Sequence, residues 1–457
     1  MGSLSGALNI TLSSMLAEEG AIETTSNNIA NVNTPGYSRQ RPVLEEAPPV
    51  LNGNLVFGTG VQLQQVESLR DSILDLRVNQ ETQQQGSLNS FLNSAQQIQS
   101  LFNETNGTGL QSDLTNFFNS LSQLSTNPSD LNLRQAVLTS AQNLASAFNQ
   151  TSSALTTQQR NVDLSVTQTV SQINTLTQQI AAVNSQVSAA TTSNQNPGPF
   201  VDQRQQLINQ LSNLVDVSEI NAGNGSLTLT TSSGAPLVVG GQSFALTTQT
   251  DPATALQDID SQGTNITANI TGGELAGQLQ IRDQEIPSIQ NSLDTLASSL
   301  ANAVNTQHQA GFDLNGAPGG NFFVPPTGVA GAAASLAVAI TDPTKIAASS
   351  DGTPGDNGNV NALLDLQNQN IVNGETPMNA YSNLVFQMGN DVQTAQTNQT
   401  AGSQVLSQLQ NLQGGVSGVD INEESANLIR FQNAYTASAQ VATTINTLLQ
   451  TTIDMVQ

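Results

Sequence analysis

The chain has 457 residues and a formal net charge of −24, with 10 basic and 34 acidic side chains, no cysteine and one histidine. Proteins that bind nucleic acids need clustered basic residues to neutralise phosphates, so this charge balance excludes nucleic acid as a partner. The composition also excludes disulfides, thiolate catalysis and zinc sites made of cysteine and histidine. We expect no membrane insertion, because the longest apolar run, residues 328–340, is too short to cross a bilayer.

The N-terminal segment carries apolar residues at the spacing of a long helix. The residues that recur every seven positions are Leu8, Met15, Ile22 and Ile29. This pattern stops at Thr34-Pro35-Gly36, because Pro35 disfavours helix at the preceding residue and a Pro-Gly pair fits the centre of a type II turn. We therefore predict a helix of about 30 residues that ends in an enforced turn.

Asparagines are concentrated at the end of this helix pattern, at positions Asn27, Asn28, Asn31 and Asn33. Asparagine is a poor residue for a helix interior, because its side chain competes for backbone hydrogen bonds. We predict that these amides bond to the backbone or to neighbouring chains. The alternative is that the helix simply frays before the turn.

The C-terminal segment has the same spacing in two offset series. The first series is Leu428, Tyr435, Ala442, Leu449 and Val456, and the second is Ala434, Val441, Leu448 and Met455, with Phe431 and Ile445 on the same face. Asp420 and Glu423 form a helix start signal with Asp420 as the N-cap, so the predicted helix runs from about Ile421 to near the end.

Each terminal helix must bury its apolar stripe against another element. We predict that the two helices pair and form one terminal coiled-coil domain from residues 1–45 and 416–457. The alternative is that each end docks separately on the main body.

The middle of the chain predicts a helical body made of residues 46–216, 273–323 and 350–415. Its predicted helices cover residues 68–103, 130–190, 201–215, 273–310 and 360–413, the last ending at Gly414-Gly415. A coiled-coil seam within the second of these helices consists of Val162, Val166, Ile173, Leu176, Ile180, Val183 and Val187. We interpret these helices as scaffold.

A small β domain is predicted at residues 217–272. Polar and apolar residues alternate at 226–231, β-branched residues flank a Gly-Gly turn at 236–246, and a weaker strand pattern covers 264–271. Residues 324–349 are predicted as strand and loop, with one strand-like run at 335–340. The predicted fold class is therefore mainly α with a β insertion: a terminal coiled-coil domain, an elongated helical bundle and a small β domain.

No motif in the sequence predicts catalysis, a cofactor or a metal site. His308 lacks a second histidine for a zinc site, and we expect it at the surface or between helices near a helix end. Residues 313–324 begin like a calcium loop but have Ala317, Pro318 and Val324 at positions that require other residues. We therefore expect a protein that is not an enzyme and that carries no cofactor.

The two ends resemble the terminal signatures of bacterial flagellar axial proteins, the rod, hook and hook-associated proteins. NNIANVNTPGY at 27–37 resembles the N-terminal signature, and residues 418–456 resemble the C-terminal one. Segments 200–218, 272–283, 304–323, 339–350 and 356–368 are similar to the hook-associated protein 1 family, which forms the first hook–filament junction. Longer members of that family carry a further β domain after the third of these segments, and this chain has only a short connection there.

The resemblance implies a structural adaptor between flagellar hook and filament, exported by the flagellar type III apparatus and located outside the cell. It implies four kinds of partner: neighbouring copies of the chain, the hook protein, a second junction protein and an export chaperone at the C-terminal helix. The alternatives are a hook- or filament-type axial subunit, or a secreted adhesin that binds glycans through the β domain.

The resemblance also indicates which residues would carry assembly. In the N-terminal motif they are Leu8, Met15, Ile22, Asn27, Asn28, Ile29, Asn31, Thr34, Pro35, Gly36 and Tyr37. In the C-terminal helix, where the chaperone would also bind, they are Leu428, Phe431, Ala434, Tyr435, Val441, Ile445, Leu448, Leu449 and Met455.

Overall fold

The computed structural model describes residues 2–52, 55–103, 109–193, 195–221, 223 and 225–455. Its helices are α1 (Gly2–Ala30), α2 (Ser72–Leu101), α3 (Leu110–Thr126), α4 (Leu131–Thr192), α5 (Gly198–Leu214), α6 (Gly273–Gln280), α7 (Ile286–Gln309), α8 (Ala332–Ser335), α9 (Gly358–Asp365), α10 (Pro377–Ser417) and α11 (Ile421–Asp454). Its strands are β1 (Gln40–Glu46), β2 (Val50–Asn52), β3 (Leu55–Phe57), β4 (Val61–Ser68), β5 (Ser218–Asn221), β6 (Leu227–Thr230), β7 (Pro236–Val239), β8 (Gln242–Ser243), β9 (Leu246–Thr250), β10 (Gln257–Ser261) and β11 (Thr264–Asn265). The predicted fold class, mainly α with a β insertion, is confirmed.

The two terminal helices pair, as the apolar stripes predict, and they run antiparallel to each other. The hydroxyls of Ser14 in α1 and Ser438 in α11 lie 3.1 Å apart, and the Asn28 amide reaches Glu424 at the start of α11. The predicted cap is also confirmed: Asp420 accepts hydrogen bonds from the first backbone N–H groups of α11. These contacts agree with pairing of the two terminal helices and not with separate docking of each helix on the body.

Strands β1 and β4 form an antiparallel two-stranded sheet that packs on α1. Strands β2 and β3 form a hairpin between them. None of these strands was among the predicted elements: the polar–apolar alternation at 61–64 is short, and residues 40–46 have none. Their contacts lead us to propose that residues 46–68 belong with the terminal helices rather than with the helical body.

The helical body is built around α4, which runs for 62 residues and packs against α3 and α5. Helix α2 packs against α6 and α10. One continuous apolar cluster joins α2, α3, α4, α7, α9 and α10, and Phe117 packs there against Phe322 and Phe323 with ring centroids 5.9 and 6.0 Å away. Edge-on and tilted aromatic packing of this kind stabilises a core beyond the burial of area alone. The body therefore has a continuous apolar core of its own.

The β insertion forms two small antiparallel sheets, in the strand orders β5-β6-β7-β8 and β9-β10-β11. Side-chain amides of α4 hold both sheets in place. Asn184 donates to the carbonyls of Leu227 and Gly240 at 2.8 and 2.9 Å, and Asn174 both donates to and accepts from the backbone of Leu246 at 2.8 Å. The strands predicted at 226–231 and 236–246 are confirmed.

Three predicted elements are wrong in detail. The strand predicted at 264–271 is a two-residue strand, because the backbone leaves the hairpin and turns into a 3₁₀ helix at Thr267–Asn269. The run 335–340 makes only an isolated bridge between Val338 and Phe323, since no neighbouring strand extends the pairing. The helix predicted at 360–413 is two helices, α9 and α10, and α10 continues through Gly414-Gly415 to Ser417. In its last turn the Gly418 N–H donates to the Gly414 carbonyl, and the Ser417 hydroxyl donates to the Gln413 carbonyl.

Candidate functional site

The motif at the end of α1 folds into the predicted turn. The N–H of Tyr37 donates to the carbonyl of Thr34 at 3.2 Å, and Gly36 has φ +75°. A positive φ at the third residue defines a type II turn and favours glycine there. The side chain of Gln206 in α5 donates to the Pro35 carbonyl and fills the space that a Cβ of residue 36 would need. The turn is thereby attached to the helical body.

Asn28 is the centre of the hydrogen bonds around this turn, and it is fully buried. Its Nδ2 donates to the Gln40 carbonyl at 2.8 Å and to Glu424 Oε2 at 2.9 Å. Its Oδ1 accepts from the Tyr37 hydroxyl at 2.8 Å and from the Gln40 N–H at 2.9 Å. One amide therefore connects α1, β1, the turn and α11, with all four of its hydrogen-bonding positions used.

The other three asparagines of the motif make fewer hydrogen bonds, or bonds only to residues nearby in the sequence. Asn31 donates to the backbone and side-chain oxygens of Asn27 at 3.0 and 2.7 Å, and its Oδ1 accepts from Thr34. Asn27 and Asn33 are exposed. The prediction that amides bond to the backbone is confirmed for Asn28 and Asn31; Asn27 and Asn28 lie within α1, and Asn31 and Asn33 lie in the turn that follows it.

Arg39 joins the turn to the start of α11 through two carboxylates. Its guanidinium nitrogens donate to both oxygens of Glu423 at 2.6 and 3.0 Å and to Glu424 Oε1 at 2.7 Å. Glu424 is buried, so its charge needs these partners. The sequence analysis missed Arg39; its position as the first basic residue of an acidic chain, two residues after the turn, is the signal that could have found it.

Burial and nearby carboxylates determine the protonation of Tyr37. Burial, followed by the charges of Asp202 and Glu424, raises the pKa of the Tyr37 hydroxyl to about 12. The hydroxyl therefore stays protonated and donates to Asn28 throughout the neutral range. Asp202 itself accepts from the Ser38 N–H at 2.9 Å and from Arg70 at 3.3 Å, and burial raises the pKa of its carboxyl.

The apolar stripes of the terminal helices are only partly covered within the chain. On α1 the predicted residues Leu8, Met15, Ile22 and Ile29 are half-buried, and Ala17 and Ala21 are the buried apolar positions. On α11, Phe431 and Ile445 are buried and Leu428, Ala434, Tyr435 and Leu449 are half-buried.

Three further members of the C-terminal stripe are not covered by α1 or by another described element. Val441, Leu448 and Met455 are exposed, Met455 to 82%. Leu12 and Leu16 of α1 are 54% and 60% exposed. Val456 lies outside the described residues. The helix pair therefore has apolar side chains that the described residues of its own chain do not cover, and we call these side chains the uncovered apolar face.

His308 is fully buried rather than at the surface: its Nδ1–H donates to the Gly320 carbonyl at 2.8 Å, and its Nε2 accepts from the Ala347 N–H at 2.9 Å. Within the described ranges, no group of three or more histidine or carboxylate side chains is placed to hold a metal ion. None of the described helices has the length and apolar character needed to cross a membrane.

Comparisons with known proteins match the ends and the middle of the chain separately. The family model of the flagellar hook-associated protein FlgK helical domain matches residues 95–323. The model of the flagella basal body rod protein matches residues 8–37, and that of the flagellar basal body rod FlgEFG protein C-terminal matches residues 413–455. The hydrogen bond between Asn28 and Glu424 therefore joins the two segments, at opposite ends of the chain, that match the models of rod proteins.

Full-length relatives agree with these matches. Flagellar hook-associated protein 1 of Escherichia coli (strain K12) is 29% identical over 547 residues, covering 99% of this chain and 100% of the relative. The protein of the same description from Bacillus subtilis (strain 168) is 29% identical over 485 residues, covering 96% of each. The longer alignments indicate that these relatives contain residues with no counterpart here.

A solved structure shows the same fold. The flagellar hook junction protein FlgK from Burkholderia pseudomallei superposes with a TM-score of 0.67 at 20% identity, covering 75% of this chain and all of that one. The helical-domain model alone spans half of the sequence. On this basis the chain belongs to the flagellar hook-associated protein FlgK family.

Proposed function

We propose that this protein is a structural adaptor that joins the bacterial flagellar hook to the filament. The relatives are named as hook-associated and hook junction proteins. The observation that carries the proposal is the uncovered apolar face of the terminal helix pair, which includes Leu12, Leu448 and Met455. Such a face supports a subunit that is completed by its neighbours in an assembly.

We propose that copies of the chain form one layer at the distal end of the hook. Contacts between different patches of neighbouring copies propagate around an axis, and the terminal helices can make such contacts through Val441, Leu448 and Met455. The hook protein would lie below this layer and a second junction protein above it, on the filament side. The working place of the protein would then be the flagellum, outside the cell.

Export of the chain through the flagellar type III apparatus is part of the same proposal. An export chaperone would cover the stripe of α11 from Leu428 onward, as grooves bind the apolar face of an amphipathic helix. Support comes from the partial exposure of that stripe, which leaves it accessible before neighbouring copies cover it.

Deletion of the gene tests the adaptor role directly. Electron microscopy of the cells should reveal hooks without filaments, and flagellin should accumulate in the medium. Normal filaments would contradict the proposal and would favour the adhesin alternative. Long tubes formed by the purified protein alone would favour an axial subunit that polymerises without limit.

Removal of residues 421–457 tests whether α11 carries assembly. The two apolar clusters of the body and the β domain contain no described residue of α11, so the truncated protein should keep the thermal transition of the body. It should nevertheless fail to join hooks. A truncated protein that still restores filaments to the deletion strain would exclude α11 as the assembly element.

A further inference from the structure

A groove on the helical body lies between α2, α7 and α10, away from the terminal helices. Phe91, Ile289 and Met388 are among the apolar side chains that line it, one from each helix. Glu285 of α7 and Asp391 of α10 line the same groove. No basic side chain is among the described residues of its lining. We call this groove, with its apolar side chains and two carboxylates, the acidic socket.

The carboxylates of the acidic socket have no cationic partner within the chain. Among the residues that the structure describes, no lysine or arginine forms an ion pair with Glu285 or Asp391. Asp391 is exposed and Glu285 is half-buried; burial, and then the charge of Asp391, raise the pKa of the Glu285 carboxyl. The two carboxylates therefore repel each other, and a cation placed between them would relieve this repulsion.

The size of the acidic socket selects the kind of group that can enter it. Its volume is about 50 Å³, whereas pockets for small molecules measure roughly 300–1,000 Å³. The socket therefore has room for part of one side chain. An arginine suits it, because the aliphatic stem of arginine packs on apolar groups while its guanidinium donates to carboxylates.

Few basic side chains of this protein are free to act as that partner. The single lysine, Lys345, is paired with Asp313 at 2.9 Å. Within the described ranges, Arg77 and Arg160 are the basic residues whose side chains make no hydrogen bond, ion pair or aromatic contact, and both are exposed. Leu164, one turn after Arg160 on α4, is 62% exposed. Arg160 and Leu164 together therefore present one positive charge and one apolar side chain.

Arg160 lies near the level of the acidic socket but on another side of the helical body. Its neighbour Gln159 donates at 2.8 Å to the carbonyl of Arg282, in the π-helical turn that leads into α7. Gln158 donates at 2.7 Å to Gln97 of α2, beside the residues of α2 that line the socket. Helices α2 and α7 each pack against both α4 and α10, so they lie between the outer side of α4 and α10. A contact between the arginine and the socket therefore needs two copies of the chain.

We propose that Arg160 of one copy binds between Glu285 and Asp391 of the next copy. Leu164 of the first copy then lies against the apolar lining of the socket. The proposal rests on the adaptor function proposed above, because it names a contact through which copies within one layer meet. The two surfaces are different patches of the chain, so the contact is heterologous and continues from copy to copy.

Charge complementarity favours this contact over other pairings of two bodies. The chain has 34 acidic and 10 basic side chains, and most of the basic ones are already engaged within the chain. A randomly chosen pair of surfaces therefore brings like charges together, which disfavours association. An unpaired arginine that meets two unpaired carboxylates reverses the sign of that interaction.

Cross-linking in assembled flagella tests the contact. The chain has no cysteine, so Leu164→Cys and Ser288→Cys, an exposed residue of the socket, can be introduced together in a strain that lacks the parent gene. Isolated flagella treated with a bismaleimide should yield a ladder of multimers on a denaturing gel, because each copy is joined to two neighbours. Either cysteine alone should yield no ladder.

Charge reversal separates this contact from simple proximity of the two cysteines. Arg160→Glu in the double-cysteine chain should lower the yield of multimers about tenfold, because it places three carboxylates together. Adding Glu285→Arg should restore the yield to within about twofold. Arg77→Glu is the matched control: it makes the same change of charge at the other unpaired arginine and should leave the yield unchanged.

The possible negative results have distinct meanings. Flagella that contain the double-cysteine chain but yield no multimers would overturn the contact and leave the adaptor role standing. Equal yields from Arg160→Glu and Arg77→Glu, or no restoration by Glu285→Arg, would exclude the acidic socket as the partner of Arg160. Absence of the chain from isolated flagella would contradict the adaptor role itself, and this contact with it.

Discussion

Replacement of Asn28 by alanine should open the joint between the two terminal helices. The amide is 1% exposed and makes four hydrogen bonds of 2.8–2.9 Å, to Tyr37, to both backbone groups of Gln40 and to Glu424. Alanine cannot donate or accept in their place. The change therefore removes every side-chain bond that ties the end of α1 to β1 and α11 at this point.

The size of the effect follows from the groups that lose their partner. An unpaired buried polar group costs about 1–3 kcal/mol. Glu424 keeps its bonds to Arg39, so the main losses fall on Gln40 and Tyr37. We expect the free energy of opening of the helix pair to fall by about 4 kcal/mol, which corresponds to about a thousandfold change in the opening equilibrium.

Hydrogen exchange followed by mass spectrometry measures this change segment by segment. The amides of α1 and α11 should exchange about a thousandfold faster in Asn28→Ala, while α4 keeps its protection. Asn31→Ala is the matched control, because its bonds stay within residues 27–34 and their loss should change stability by about 0.5 kcal/mol or less. Equal protection of α11 in the two variants would refute the role assigned to Asn28.

Three further changes act on the body. Arg282→Ala leaves the buried Asp163 without the guanidinium at 2.7 Å, and calorimetry should register a loss of about 3–5 kcal/mol. Burial lowers the pKa of His308. The neutral imidazole therefore stabilises the fold above pH ~6.5, and this contribution is lost as the pH falls through the lowered pKa. The loss of stability caused by His308→Gln should become smaller as the pH falls. Gly277→Ala places a Cβ against the α2 backbone, first at the Ser87 carbonyl and then at the Phe91 nitrogen, and should cost about 1–3 kcal/mol in thermal unfolding. Gly6→Ala, which has free space, should cost nothing comparable.

Each of these three predictions has an outcome that contradicts it. A melting temperature of the Arg282 variant equal to that of the parent would mean that Asp163 finds another partner. A stability difference for His308→Gln that does not change with pH would mean that His308 titrates alike in the folded and unfolded chain. Equal stability of the Gly277 and Gly6 variants would exclude the close approach of α6 to α2.

Helix periodicity, turn residues and capping residues predicted the helices and the turn, because these features depend on residues close together in the sequence. The heptad spacing, the Pro35-Gly36 turn and the Asp420 cap each involve residues within a few positions of one another, and all three are present in the structure. The terminal signatures also pointed to the correct family before any contact was known. These features needed no information about distant parts of the chain.

Only the tertiary structure decided which residues meet at the joint. Asn28 and Glu424 are 396 positions apart, and Arg39 reaches Glu423 across 384. Burial of His308 depends on two loops that fold over the end of α7, and the exposure of Val441 and burial of Ile445 depend on which side of α11 faces α1. The sequence by itself determined the helices, the turn and the family, because periodicity and capping are local. Pairing and burial depend on the packing of distant segments, and no local pattern specifies that packing.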